Sequence, residues 1–167
     1  MNLAVPTTGS VAVEELRLGL IALRREEWID ACSRLEAATA AAPDWATAHA
    51  YLSAAYMALA RVDDATDCID RALALEPEGF ATRMKAGELT FRLGDLITAQ
   101  THFLAAVRAA VPASADEFAA LAALAQTRKG IRKGIAHGAS LPELPRWRRP
   151  MVALTGRLRR ADRGVAG

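Results

Sequence analysis

Residues 46–77 decide the fold: Ala46-Thr-Ala-His-Ala-Tyr-Leu-Ser-Ala-Ala-Tyr56, then Ala65, Ile69, Ala72 and Pro77. Moved back by 34 residues, this stretch lays Leu52 on Leu18, Ser53 on Gly19, Ala65 on Ala31, Ile69 on Leu35, Ala72 on Ala38 and Pro77 on Pro43. Moved forward by 34, it lays Ser53 on Gly87, Ala65 on Ala99, Ile69 on Phe103 and Ala72 on Ala106, and Pro112 arrives one residue late. A period of this length, run three times without a gap, marks a stacked array of small units. The units are 12–45, 46–79 and 80–113.

The composition fits helices that approach closely. Hydrophobic residues make up 52% of the 167 but aromatics only 5%, so alanine, leucine and valine must fill the interior. Alanine forms helix best because it loses no side-chain entropy there. Each unit therefore reads as an antiparallel helix pair. Gly19, Ser53 and Gly87 let the first helix approach the second, and Ala31, Ala65 and Ala99 return the space. Ala38, Ala72 and Ala106 sit where the next unit must pack. One pair cannot bury its apolar face, so stacking is what makes a core.

These residues resemble the tetratricopeptide-repeat pattern of a large residue, Leu-Gly, an aromatic, alanine, a large residue, alanine and proline. Unit one reads Glu15, Leu18-Gly19, Ala22, Ala31, Leu35, Ala38 and Pro43, and unit two reads His49, Leu52-Ser53, Tyr56, Ala65, Ile69, Ala72 and Pro77. Unit three reads Arg83, Ala86-Gly87, Thr90, Ala99, Phe103 and Ala106, with Leu93-Gly94-Asp95-Leu96 as its inter-helix turn. The first large position thus holds Glu, His and Arg rather than Trp, and only unit two keeps the first aromatic. The resemblance covers about 100 residues. It implies an all-α solenoid of three helix pairs with a capping helix, and a non-enzymatic adaptor or chaperone-like module that binds a partner peptide in a concave, partly apolar groove. Carried over position by position, the groove takes Leu16, Leu20, Leu23 and Arg24 from unit one. Unit two supplies Tyr51, Ala54 and Met57, and unit three Met84, Lys85, Phe91 and Arg92. Glu88 falls on the same side.

Some members of that family hold acidic C-terminal peptides of chaperones with a clamp of cations and asparagines. The matching positions here are Leu16, Leu20, Tyr51, Ala81 and Lys85, and only Lys85 is charged. A carboxylate facing Leu16 and Leu20 is desolvated without a partner. The three-repeat chaperones of type III secretion translocators are similar in length, repeat number, C-terminal helix and groove. They form the alternative reading, although they usually carry a longer helical segment before the first repeat than the eleven residues 1–11 here.

After the third unit, Ser114-Ala-Asp-Glu117 has the spacing of a capping box. Phe118, Leu121, Ala122, Leu124 and Ala125 follow at helical spacing. A capping helix is expected over 114–137, covering the flank of unit three and weakening through Gly130, Gly134 and Gly138. Residues 138–167 form a proline-containing linker and an arginine-rich tail. Charge separates the two parts: residues 1–127 hold 10 Lys/Arg against 17 Asp/Glu, and residues 128–167 hold 11 against 2. Arg146, Trp147, Arg148, Arg149, Arg157, Arg159 and Arg160 are the expected tail contacts. The tail is compatible with a disordered extension, with an anionic membrane surface or nucleic acid as partner, or with folding back into the groove. A homodimer is a further open partner.

No phosphate loop, nucleotide fingerprint, zinc spacing or nucleophile elbow occurs, and neither a cofactor nor a metal site is expected. His49, His102 and His137 read as ordinary helix residues, and Cys32 and Cys68 as small packing residues. Asp63, Asp64, Asp67 and Asp70 look like a site, but the period makes them the start of a second helix. Asp63 and Asp64 are expected to cap it. No signal peptide or apolar span of about 18–20 residues is legible, so a cytoplasmic location is expected.

Overall fold

The computed structural model describes residues 7–136, and every element among them is helical. In chain order these are α1 (Thr7–Arg24), α2 (Trp28–Ala41), α3 (Ala46–Ala58), α4 (Val62–Leu75), α5 (Phe80–Arg92), α6 (Leu96–Ala109) and α7 (Ala115–Ala136). They pack as the pairs α1–α2, α3–α4 and α5–α6, with α7 against α6. The expected solenoid of three pairs and a closing helix is what the chain forms. The linker and the tail residues named above lie outside the described residues, as does His137.

Burial follows the 34-residue period. Ala31, Ala65 and Ala99 are 0% exposed, as are Ala38, Ala72 and Ala106, while Leu35, Ile69 and Phe103 between them are at most 4% exposed. The first helix of each pair meets this surface through a small residue. A Cβ added at Gly19 would lie 2.7 Å from Leu35 Cγ, and one at Gly87 2.6 Å from the Phe103 ring. Units one and two, with Ala86 and Leu89 of α5, share one core cluster. Ala99 and Phe103 of α6 join Leu124 of α7 in a second.

The turns repeat as well. Glu26, Ala60 and Gly94, again 34 apart, have φ of 60°, 74° and 85°. In each unit the next amide donates five residues back at 3.0 Å: Glu27 to Ala22 O, Arg61 to Tyr56 O and Asp95 to Thr90 O. This is the Schellman ending of a helix, which favours glycine in the left-handed position. Only unit three has that glycine. Units one and two hold the same turn with Glu and Ala because the packing of the flanking helices fixes it.

Several details differ from the expectation. α1 starts at Thr7, ahead of the first unit's boundary at 12. Asp63 and Asp64 lie within the first turn of α4 rather than capping it. The cap residue is Arg61, whose side chain caps no amide, and Arg61 Nε donates instead to Asp64 Oδ2 at 2.7 Å. The capping box at α7 forms with a shifted partner: Glu117 N donates to Ser114 Oγ at 3.2 Å, but Glu117 Oε2 accepts from Ala113 N at 2.5 Å. α7 stays helical through Gly130 and Gly134 to Ala136. Its buried side is Ala120, Leu124 and Thr127, whereas Phe118 and Leu121 point outward.

Arg83 stands where the family pattern has Trp, and α6 accommodates it. Its Nη1 donates to His102 Nδ1 at 3.3 Å and its Nη2 to Glu78 Oε1 at 2.9 Å. Burial, and then the Arg83 charge, push the His102 pKa below its ordinary 6.5, with Asp95 opposing.

Gly19→Ala lowers stability by about 1–2 kcal/mol in urea unfolding, because overpacking outweighs the helix propensity gained. Gly134→Ala, with nothing within 4 Å of the new Cβ, raises it by about 0.5–1 kcal/mol. Ala60→Gly relieves the left-handed turn and raises stability by about 1 kcal/mol by the same measurement. His102 takes up its proton more readily when unfolded, so stability is full above pH 6.5 and falls as the pH drops below it. Urea midpoints measured across that range show the fall, and His102→Gln flattens it.

Candidate peptide-binding groove

The inner side of the array follows from which helices touch. Along the stack α3 packs on α5 and α1 meets α3 at a few points, while the second helices make no comparable contact with one another. The first helices therefore line the tighter, concave side. Small residues along α3 (Ala46, Ala48, Ala50, Ala55) let its neighbours come close.

Between α3 and α5 the surface dips into a shallow, solvent-open depression. Ser53, Ala54 and Met57 line it from α3, and Lys85, Glu88, Leu89 and Arg92 from α5. It is far too small to enclose a small molecule. Lys85 Nζ bonds to Glu88 Oε2 at 2.8 Å and stands 5.2 Å from the centre of the Tyr51 ring. The lysine is thus held by an acid and an aromatic face. Arg92, exposed, forms no ion pair among the described residues.

The residues named from sequence separate into three groups. Ala54, Met57, Lys85 and Arg92 come together at the depression, with Tyr51 beside them. Leu16, Leu20 and Leu23 pack on the first core cluster, Leu16 only 7% exposed, and Arg24 is exposed at the end of α1. Met84 and Phe91 pack on the second cluster with Phe103 and Leu124, away from the depression. Ser53 and Leu89 were not among the expected contacts. Leu89 follows Lys85 by one helical turn, which was the available signal.

A second polar cluster lies between α2, α3 and α4. Glu36 Oε1 accepts from Tyr56 Oη at 2.7 Å and from Cys32 Sγ at 3.4 Å, and Arg61 stacks 4.2 Å from the Tyr56 ring. Burial pushes both the Cys32 and Cys68 thiols up to about 11, so they are protonated and unreactive near neutrality. Asp63, Asp67 and Asp70 are exposed, and no group of side chains among the described residues could hold a metal ion.

Solved structures share this arrangement. The chain is 21% identical to the Sgt2 TPR domain from Aspergillus fumigatus, covering 83% of this chain and 87% of that one, with a TM-score of 0.64. PcrH, solved in complex with the chaperone binding region of PopD, is 23% identical over 80% of this chain and 99% of its own, with a TM-score of 0.61. The first TPR of Spaghetti (RPAP3), bound to the HSP90 peptide SRMEEVD, is 16% identical over 74% of this chain and 94% of its own, also at 0.61. No protein-family model matches the sequence, and neither does any curated protein. The fold is that of tetratricopeptide-repeat domains, and no helix among the described residues is long and apolar enough to cross a membrane.

Proposed function

We propose that the protein is a non-enzymatic, cytoplasmic adaptor or chaperone-like module that binds a partner peptide on its concave side. The depression between α3 and α5 carries this reading. One apolar side chain of the peptide enters over Ala54, Met57 and Leu89, while Lys85 and Arg92 meet backbone carbonyls or an acid at its rim. Leu20, Leu23 and Tyr51, each half-buried, extend the same side toward unit one. An acidic chaperone tail is a poor ligand, because the positions that would clamp its carboxylates hold Leu16, Leu20, Tyr51 and Ala81. The likeness to PcrH favours a second reading, a chaperone for a translocator-type partner that leaves an extended segment in the groove.

Selection of apolar peptides against the full chain tests the site. A selected peptide binds with little dependence on salt, and Ala54→Trp, which fills the depression, weakens it about tenfold or more. Steep weakening by salt together with indifference to Ala54→Trp moves the binding to the basic tail instead.

A further inference from the structure

α7 begins 35 residues after α5, as α5 begins 34 after α3. It is placed as the first helix of a fourth unit. Phe118, Leu121, Ala122 and Ala125 occupy the offsets in it that His49, Leu52, Ser53 and Tyr56 occupy in α3. In α3 that face is covered by the pair's second helix, and Leu52, Ser53 and Tyr56 are 4%, 1% and 9% exposed. In α7 the same face is bare: Phe118 is 63% and Leu121 42% exposed, and Ala122 and Ala125 are exposed beside them. α6 holds α7 from the other side.

Among the described residues no second helix covers this face. In the complete units a large residue sixteen positions on, Leu35 for Gly19 and Phe103 for Gly87, fills the space over the small one. Sixteen positions after Ala122 stands Gly138. Along α7 the bare face continues as Arg128, Lys129 and Arg132, all exposed and without an acidic partner among the described residues. The surface is therefore apolar at one end and cationic at the other. Residues 137–167 carry seven Lys/Arg against two Asp/Glu, the same sign as this stripe. A second copy of α7 offers cations there too.

We propose that the outward face of α7 docks an acidic amphipathic helix of a partner protein, in the position that the second helix holds in the three pairs. It runs antiparallel to α7, seats one large apolar residue over Ala122, and sets acids in its N-terminal half against Arg128, Lys129 and Arg132. The chain's own α4 shows the apolar half of that chemistry, with Ala65, Ile69 and Ala72 buried. Its Asp63, Asp67 and Asp70 stand on the opposite, exposed side, so a probe built on α4 needs acids added on its apolar side.

The probe is a synthetic peptide of residues 61–77 carrying Val62→Glu, Ala65→Glu and Cys68→Ser, which puts two acids on the apolar side of its N-terminal half. It is added to the isotope-labelled full chain and followed by amide chemical shifts. Shifts are expected at Phe118, Leu121, Ala122 and Ala125, with affinity falling about tenfold or more in Leu121→Asp and in Arg132→Glu. The same peptide with Lys at both of those positions in place of Glu should leave α7 unshifted. Arg132 is exposed, so its variant tests the charge requirement without disturbing the core. Absence of shifts on α7, shifts confined to unit two, or equal binding of the charge-reversed peptide overturns the proposal. So does sedimentation that finds a dimer of the peptide-free chain dispersed by Leu121→Asp, which makes a second copy the occupant.

Discussion

The array depends on how closely the first helix of a pair can lie on the second. In units one and three that approach is a glycine backbone against a large side chain, Gly19 on Leu35 and Gly87 on Phe103, with no room for a methyl group. In unit two a buried serine takes the small place, its hydroxyl donating to Ala50 O at 2.8 Å rather than remaining unsatisfied. Close approach fixes the rotation of each second helix about its axis. That rotation turns one row of alanines (Ala31, Ala65, Ala99) toward the partner helix and another (Ala38, Ala72, Ala106) toward the next unit. The interior is assembled from many thin contacts rather than from aromatic bulk.

The same geometry creates the concave side. Second helices carry the larger inserted residues and stay apart along the array, while first helices, smaller at their contacts, touch. A row of touching helices leaves shallow furrows, and the furrow between α3 and α5 carries a lysine held between an acid and an aromatic ring. Such a furrow reads a side chain and a length of backbone, which is the scale at which peptides are distinguished.

Most of the architecture was legible in the sequence because repetition multiplies weak signals. Any one unit matches its pattern poorly, but Ala31, Ala65 and Ala99 at equal spacing cannot easily arise otherwise. What stayed hidden depends on packing at the ends. Glu26 and Ala60 hold a left-handed turn that neither residue type announces. The apolar stripe of α7 reads as a buried face by periodicity, yet only Leu124 of its large residues turns inward, since helical spacing defines a face without saying what lies opposite it. Repeat position alone puts Met84 and Phe91 on the groove. The second core cluster draws them instead toward Phe103 and Leu124, because α7 packs there. The depression itself needed the distance between two helices, which no local pattern encodes.

The division of the interior into two clusters has a dynamic consequence. The larger cluster spans α1 to α5, whereas α6 and α7 rest on the small group around Ala99, Phe103 and Leu124. In a linear array each boundary opens at a free energy set by the contacts across it. Within the described array α6 and α7 are therefore expected to open before α1–α4, and faster amide exchange in α7 would report it. A partner docked on that end would act as a stopper, slowing exchange well beyond the residues it touches.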